Sequence, residues 1–242
     1  MKKTLLKDVA TLLEDLGISK GDHVLIHADL RIFGRLEGGG HGLVDVFRHR
    51  VGEEGLLVTP SFTFTFPDAF HLQKTSSSIG ALTTLFSREK SVERVPDGMT
   101  SYYLIGNSAS EFIEQWDHSS YGEGSIVGQL NRSGGKILQL GTDILSLVHY
   151  VEQTVGVPYR KLQRFSGVVH TESESFASFT DFYARTSDVK KMIPDPIREA
   201  YFSQCDTQLS FNSRPCRLFN VAAFVDFAAP RLAANRMALI EE

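Results

Sequence analysis

Apolar positions along the chain fall into two rhythms. Between residues 4 and 16 they recur at 5, 6, 9, 12, 13 and 16, the spacing of one helix face, and Gly17 closes the segment. Residues 23–27 (His-Val-Leu-Ile-His) form a short apolar run after a Gly-containing turn and predict a buried strand. A polar loop over 28–41 follows, with Gly34 and then Gly38, Gly39 and Gly40. Helical spacing returns at 43–51, 79–87, 110–115 and 146–154, and apolar strands are predicted at 55–59, 102–106 and 135–141. The aromatic alternation of Phe176, Phe179, Phe182 and Tyr183 predicts strands across 165–185. Residues 189–202 read mainly as helix, delayed by Pro194 and Pro196, and 221–240 as a terminal helix broken at Pro230.

Short apolar strands alternating with helices predict an α/β fold in layers, over a single domain spanning 1–242. Such folds gather ligands at the carboxyl ends of their strands. Three segments place reactive side chains there: His27 to Arg31, Thr59 to Thr63, and Gly141 onward to His149.

Composition narrows the partners. The 242 residues carry a net charge of −4, without the basic excess of a nucleic-acid binder. No stretch reaches the roughly 20 apolar residues of a membrane span. Lys7, Asp8, Glu14 and Asp15 interrupt any export-signal core, so the expected location is cytoplasmic. Cys205 and Cys216 lie outside any CxxC pattern and are expected as free thiols. The eight histidines form neither HExxH nor HxH, and no metal is expected. GxSxG is absent as well, which leaves nucleophilic catalysis little support.

Candidate chemistry is sparse. His149 and Glu152 stand three apart on one predicted helix face, where a carboxylate can orient an imidazole that accepts protons near neutrality. The same spacing suits a surface histidine beside an acid. His27 closes a strand and either lines a site or donates to a backbone carbonyl in the core. Asp29 and Arg31 either meet a charged ligand or pair with each other. The glycines around 34–42 and Gly122-Glu-Gly-Ser125 can bring backbone close to a ligand or simply turn the chain.

Taken in order, several stretches resemble the aminoglycoside 3-N-acetyltransferase family. They are Gly21-Asp-His-Val-Leu-Ile-His-Ala-Asp-Leu-Arg31, Gly52-Glu-Glu-Gly-Leu-Leu-Val-Thr-Pro-Ser-Phe-Thr63, Ser77-Ser-Ile-Gly-Ala-Leu-Thr83, Gly122-Glu-Gly-Ser125, Gly135-Lys-Ile-Leu-Gln-Leu-Gly141 and His149-Tyr-Val-Glu152 with Val157-Pro-Tyr-Arg160. The series covers residues 1–170. The resemblance implies a three-layer α/β/α fold with a mixed central sheet, and acetyl transfer from acetyl-CoA to a primary amine of an aminoglycoside or amino sugar. It puts the general base at His149, with Glu152 or Asp181 as the orienting carboxylate. It lays CoA along His27, Asp29, Leu30 and Arg31, then Ser61 and Thr63, then Ser77, Ser78 and Gly80, with Ser125 beside it. Where drug-modifying members often carry a His-Pro pair, this chain has Val95-Pro-Asp-Gly-Met-Thr-Ser101, and Asp29 stands where many have serine. These departures leave antibiotic inactivation and biosynthetic acylation both open. They also leave open a non-catalytic relative that binds CoA or a sugar nucleotide; an unrelated hydrolase is a third reading. The C-terminal aromatics suit a two-fold homodimer.

Overall fold

The computed structural model describes residues 3–186 and 195–240. In chain order the elements are β1 (Lys3–Thr4), α1 (Leu6–Asp15), β2 (His23–Ala28), β3 (Arg35–Leu36), α2 (His41–Val51), β4 (Leu56–Pro60), β5 (Phe70–His71), α3 (Ala81–Phe86), β6 (Glu93–Arg94) and β7 (Tyr102–Ile105). There follow α4 (Ala109–Glu114), α5 (Ile126–Arg132), β8 (Lys136–Leu140), α6 (Leu147–Val155), β9 (Arg160–His170), β10 (Ser175–Arg185), α7 (Asp195–Phe202), β11 (Thr207–Phe211), β12 (Arg214–Asn220) and α8 (Val221–Ala234). A 3-10 turn, Leu30–Phe33, interrupts the loop predicted after β2. The predicted helix over 189–202 is seen only from 195, since 187–194 lie outside the described residues.

Seven strands make one mixed sheet in the order β11-β12-β8-β2-β4-β7-β6. Its centre, β8-β2-β4, is parallel, and the flanking pairs are antiparallel. Alternation along each strand divides the core in two. Val24 and Ile26 of β2, Leu57 of β4, Leu138 and Leu140 of β8 and Leu218 of β12 face the cluster built with α1, α2 and α3. Leu25, Leu56, Val58, Ile137 and Phe219 face the cluster built with α4, α5, α6 and α8. Helices on both faces of a mixed sheet are the three-layer arrangement expected from the sequence. A second sheet, β10-β9-β5, is a long hairpin with one short parallel partner.

Two features were not anticipated. The chain continues as helix through Pro230, which is exposed, as is Asp226 one turn earlier. Proline removes the hydrogen bond to that earlier carbonyl, and on the wet face water replaces it, while Phe224, Ala228 and Leu232 stay buried. The hairpin β11–β12 gave no clear signal because Pro215 and three arginines and glutamines break its alternation.

The long connection from β4 to α3 is held down by Arg94. Its guanidinium is buried, donates to the carbonyls of Ser61, Leu72 and Thr75 and to Ser101 Oγ, and stacks against Phe70 and Tyr103, each 4.7 Å from the ring centroid.

Candidate active site

The period-2 rule places His27 on the same face of β2 as Leu25, toward α6. The ladder then aligns it with Gln139 of β8, and Gln139 with Arg217 of β12. These three polar side chains form a row across adjacent strands at their shared edge, and all three are buried. Each holds a different point of the β8–α6 connection. His27 Nε2 lies 2.6 Å from Ser146 Oγ, Gln139 Nε2 donates to the Ile144 carbonyl at 2.5 Å, and Arg217 Nη1 donates to Asp143 at 2.8 Å. The row fixes where α6 begins, and so where His149 stands.

The α6 face then explains Glu152. Its neighbours Val148, Tyr150 and Val151 are core residues, and the carboxylate between them is fully buried. A bare buried carboxylate is expensive, so it must be matched. Oε2 meets His149 Nδ1 at 2.7 Å and Arg160 Nε at 2.8 Å, and Oε1 accepts from the Tyr159 hydroxyl at 3.0 Å. Burial, followed by the charge of Glu152, pushes the Tyr159 phenol far up, so it remains a donor. Arg160 also donates to the Tyr183 carbonyl at 2.9 Å and its Nη2 lies 3.2 Å from His149 Nδ1. Nδ1 thus faces the Glu152 carboxylate at 2.7 Å more closely than the Arg160 guanidinium at 3.2 Å, an arrangement suited to donation from Nδ1 to the carboxylate. Arg160 balances the charge of Glu152, so the pair orients the ring rather than loading it with negative charge. The His149 side chain is 24% exposed, so the ring is not sealed inside the protein. Tyr121 packs beside it, centroids 5.0 Å apart.

The other predicted positions have separate engagements. Asp181 is paired with Arg164 through two bonds of 2.8 and 2.7 Å, so the carboxylate on His149 is that of Glu152. Asp29 caps the 3-10 turn and joins Arg31 at 2.5 Å and Arg214 at 2.7 Å; these guanidinium bonds, Arg31 first, hold its carboxyl well below the usual range. Leu30 opens that turn, and the Arg31 side chain is largely exposed. Ser61 is buried, and its hydroxyl has no hydrogen-bond partner among the described residues. Thr63 Oγ1 donates to the Gly98 carbonyl, Ser77 and Ser78 both donate to the Phe62 carbonyl, and Gly80 at φ 64° leads into α3. Ser125 caps α5 by accepting from Gly128 N. Cys205 and Cys216 are free, and burial pushes the Cys216 thiol up to about 11. Among the described residues no group of three or more His, Cys, Asp or Glu side chains is arranged to hold a metal, and no helix is long and apolar enough to cross a membrane. The sequence reading gave Tyr159 and Arg160 no role of their own, and it did not join His27 to Gln139 and Arg217.

An open cavity of about 920 Å³ lies at the opposite edge of the sheet, lined by Lys20, Arg48, Glu53, Glu54 and Asn107 among others. It shares no residue with the His149 network.

Burial lowers the His27 pKa from 6.5 to about 4. The folded chain keeps this ring neutral where the unfolded chain protonates it. The stability it confers is complete above pH 6.5 and drains away as pH falls toward 4, by about 3 kcal/mol. Urea unfolding across that range should show the loss, and His27→Gln should flatten it. Equal acid sensitivity in the variant would place the effect elsewhere.

Solved structures share this architecture. One described as "AAC-IIIb binary with CoASH" matches with a TM-score of 0.82 at 20% identity, over 96% of this chain and 97% of that one. The YokD protein from Bacillus subtilis matches at 0.80 and 21%, over 96% and 100%. The fold class is therefore that of the aminoglycoside acetyltransferases. The profile described as "Aminoglycoside 3-N-acetyltransferase" matches residues 25–233, and the chain belongs to that family. Aminoglycoside N(3)-acetyltransferase VIII of Streptomyces fradiae is 25% identical over 174 residues, covering 62% of this chain and 60% of that protein, less than two thirds of its length. The prophage-derived, acetyltransferase-like YokD of Bacillus subtilis is 22% identical over 89% of this chain and 88% of its own.

Proposed function

We propose that the chain transfers an acetyl group from acetyl-CoA to a primary amine of a small sugar-like acceptor, with His149 as general base. The observation that carries this reading is a partly exposed imidazole whose Nδ1 is held by the fully buried Glu152 at 2.7 Å. An ammonium cannot attack a thioester. His149 Nε2 takes the proton as the nitrogen bonds to the acyl carbon, the carbon–sulfur bond breaks, and the thiolate leaves with a proton returned to it. Glu152 acts through His149 and is a positioning residue; Tyr159 and Arg160 hold it in place. The thioester is already activated, so orientation and carbonyl polarisation supply the remainder. Arg31 and Arg214 at the end of β2 fit the donor's phosphates, and the family's CoA-bound member supports a CoA-type donor.

Two measurements test the reading. Calorimetry should detect acetyl-CoA binding, and a thiol-release assay should detect CoA only when an amine is added. Binding without release from any amine would leave a non-catalytic binder. No binding at all would overturn the proposal.

A further inference from the structure

A run of aromatic rings leads away from His149. Tyr121 lies 5.0 Å from the imidazole, Phe182 6.1 Å from Tyr121, Phe64 6.1 Å from Phe182, and Phe62 6.0 Å from Phe64, centroid to centroid. Within the run Tyr121 is buried and Phe62 packs against the core, while Phe64 is 50% exposed. Phe64 is also held in the left-handed backbone region at φ 51°, pinned by a bond from its N–H to the Met99 carbonyl at 3.1 Å. A large apolar side chain kept both exposed and in a conformation that non-glycine residues avoid is costly, and such features collect where ligands bind.

Four carboxylates around the site already have cations. Among the described residues, Glu152 is paired with Arg160 at 2.8 Å and Asp181 with Arg164 at 2.7 Å, while across the site Asp29 is paired with Arg31 and Arg214, and Asp143 with Arg217 at 2.8 Å. The exposed cation of the β2 end, Arg31, lies with Asp29 rather than with the rings. A polycation needs unmatched carboxylates, and none of these four offers one; the rings instead offer faces for an apolar body.

Building on the proposed acyl transfer, we infer that the acceptor is a primary amine on an otherwise uncharged body with an apolar or aromatic face, seated on Phe64 and the half-buried Phe182, rather than a polycationic one. The test compares p-nitrophenyl β-glucosaminide, glucosamine and kanamycin as acceptors in the thiol-release assay. The aryl glucosaminide should have the highest kcat/KM, with a KM that changes less than about twofold between roughly 50 and 500 mM salt. Phe64→Ala should raise its KM roughly three- to tenfold with little change in kcat, and should leave kanamycin unaffected. A preference for kanamycin with a KM that climbs with salt would overturn this inference and leave acyl transfer standing. Equal kcat/KM for the aryl and plain glucosaminides in both proteins would overturn it too. Absent acetyl-CoA binding, or thiol release that no amine increases, would instead overturn the underlying reaction.

Discussion

The His149→Ala variant is expected to lose about 10²–10⁴-fold in kcat for acetyl transfer, the range a positioned general base supplies, while it binds acetyl-CoA as the wild type does. Its thermal stability should fall less than that of a variant that strands a buried charge. Glu152 keeps Arg160 at 2.8 Å and the Tyr159 hydroxyl at 3.0 Å when the ring is gone, so no buried charge is abandoned. The cost is one charge-assisted hydrogen bond, about 1–3 kcal/mol. Steady-state thiol release and a melt on the same preparation separate the two effects. Undiminished kcat with folded protein would remove His149 from the chemistry.

Glu152→Ala reverses that balance. The carboxylate is fully buried and pairs with Arg160, whose side chain is only 7% exposed. Removing one partner of a buried pair leaves the other charged and unmatched, a cost of about 3–5 kcal/mol. For a chain of this size that is roughly 6–20 °C in Tm. The Tyr159 hydroxyl and His149 Nδ1 lose their acceptor in the same step, so activity should fall as the ring loses its orientation. The double variant Glu152→Leu with Arg160→Leu should recover much of the stability and none of the activity. Chemical denaturation of the single and double variants provides the measurement. A single variant within about 1 kcal/mol of wild type would mean the pair contributes nothing to folding.

Much of the frame was legible in the sequence. The leucine spacing of 5–16 became α1, and the apolar runs at 23–27, 55–59, 102–106 and 135–141 became the four central strands, because each signal is a local periodicity set by burial. The spacing of His149 and Glu152 also put two side chains on one turn of helix. What the spacing could not carry was depth. Nothing local marks Glu152 as fully buried, and without that the need for Tyr159 and Arg160 is invisible. Likewise Gln139 and Arg217 read as ordinary polar positions, and they meet His27 only because strand order places β12, β8 and β2 side by side. Asp181 stood open as a partner for His149 until hairpin register set it opposite Arg164.

The buried guanidinium of Arg94 carries a consequence for motion. It grips carbonyls from both ends of the β4–α3 connection, and neither aromatic wall nor carbonyl can release it to water without exposing a core strand. Amide protons of that connection should therefore exchange with solvent in step with the central sheet, as one cooperative unit, rather than in a faster local opening. The ground on which Phe62 and Phe64 stand is then rigid before any ligand arrives, and the ordering entropy of that surface is already spent when the chain folds.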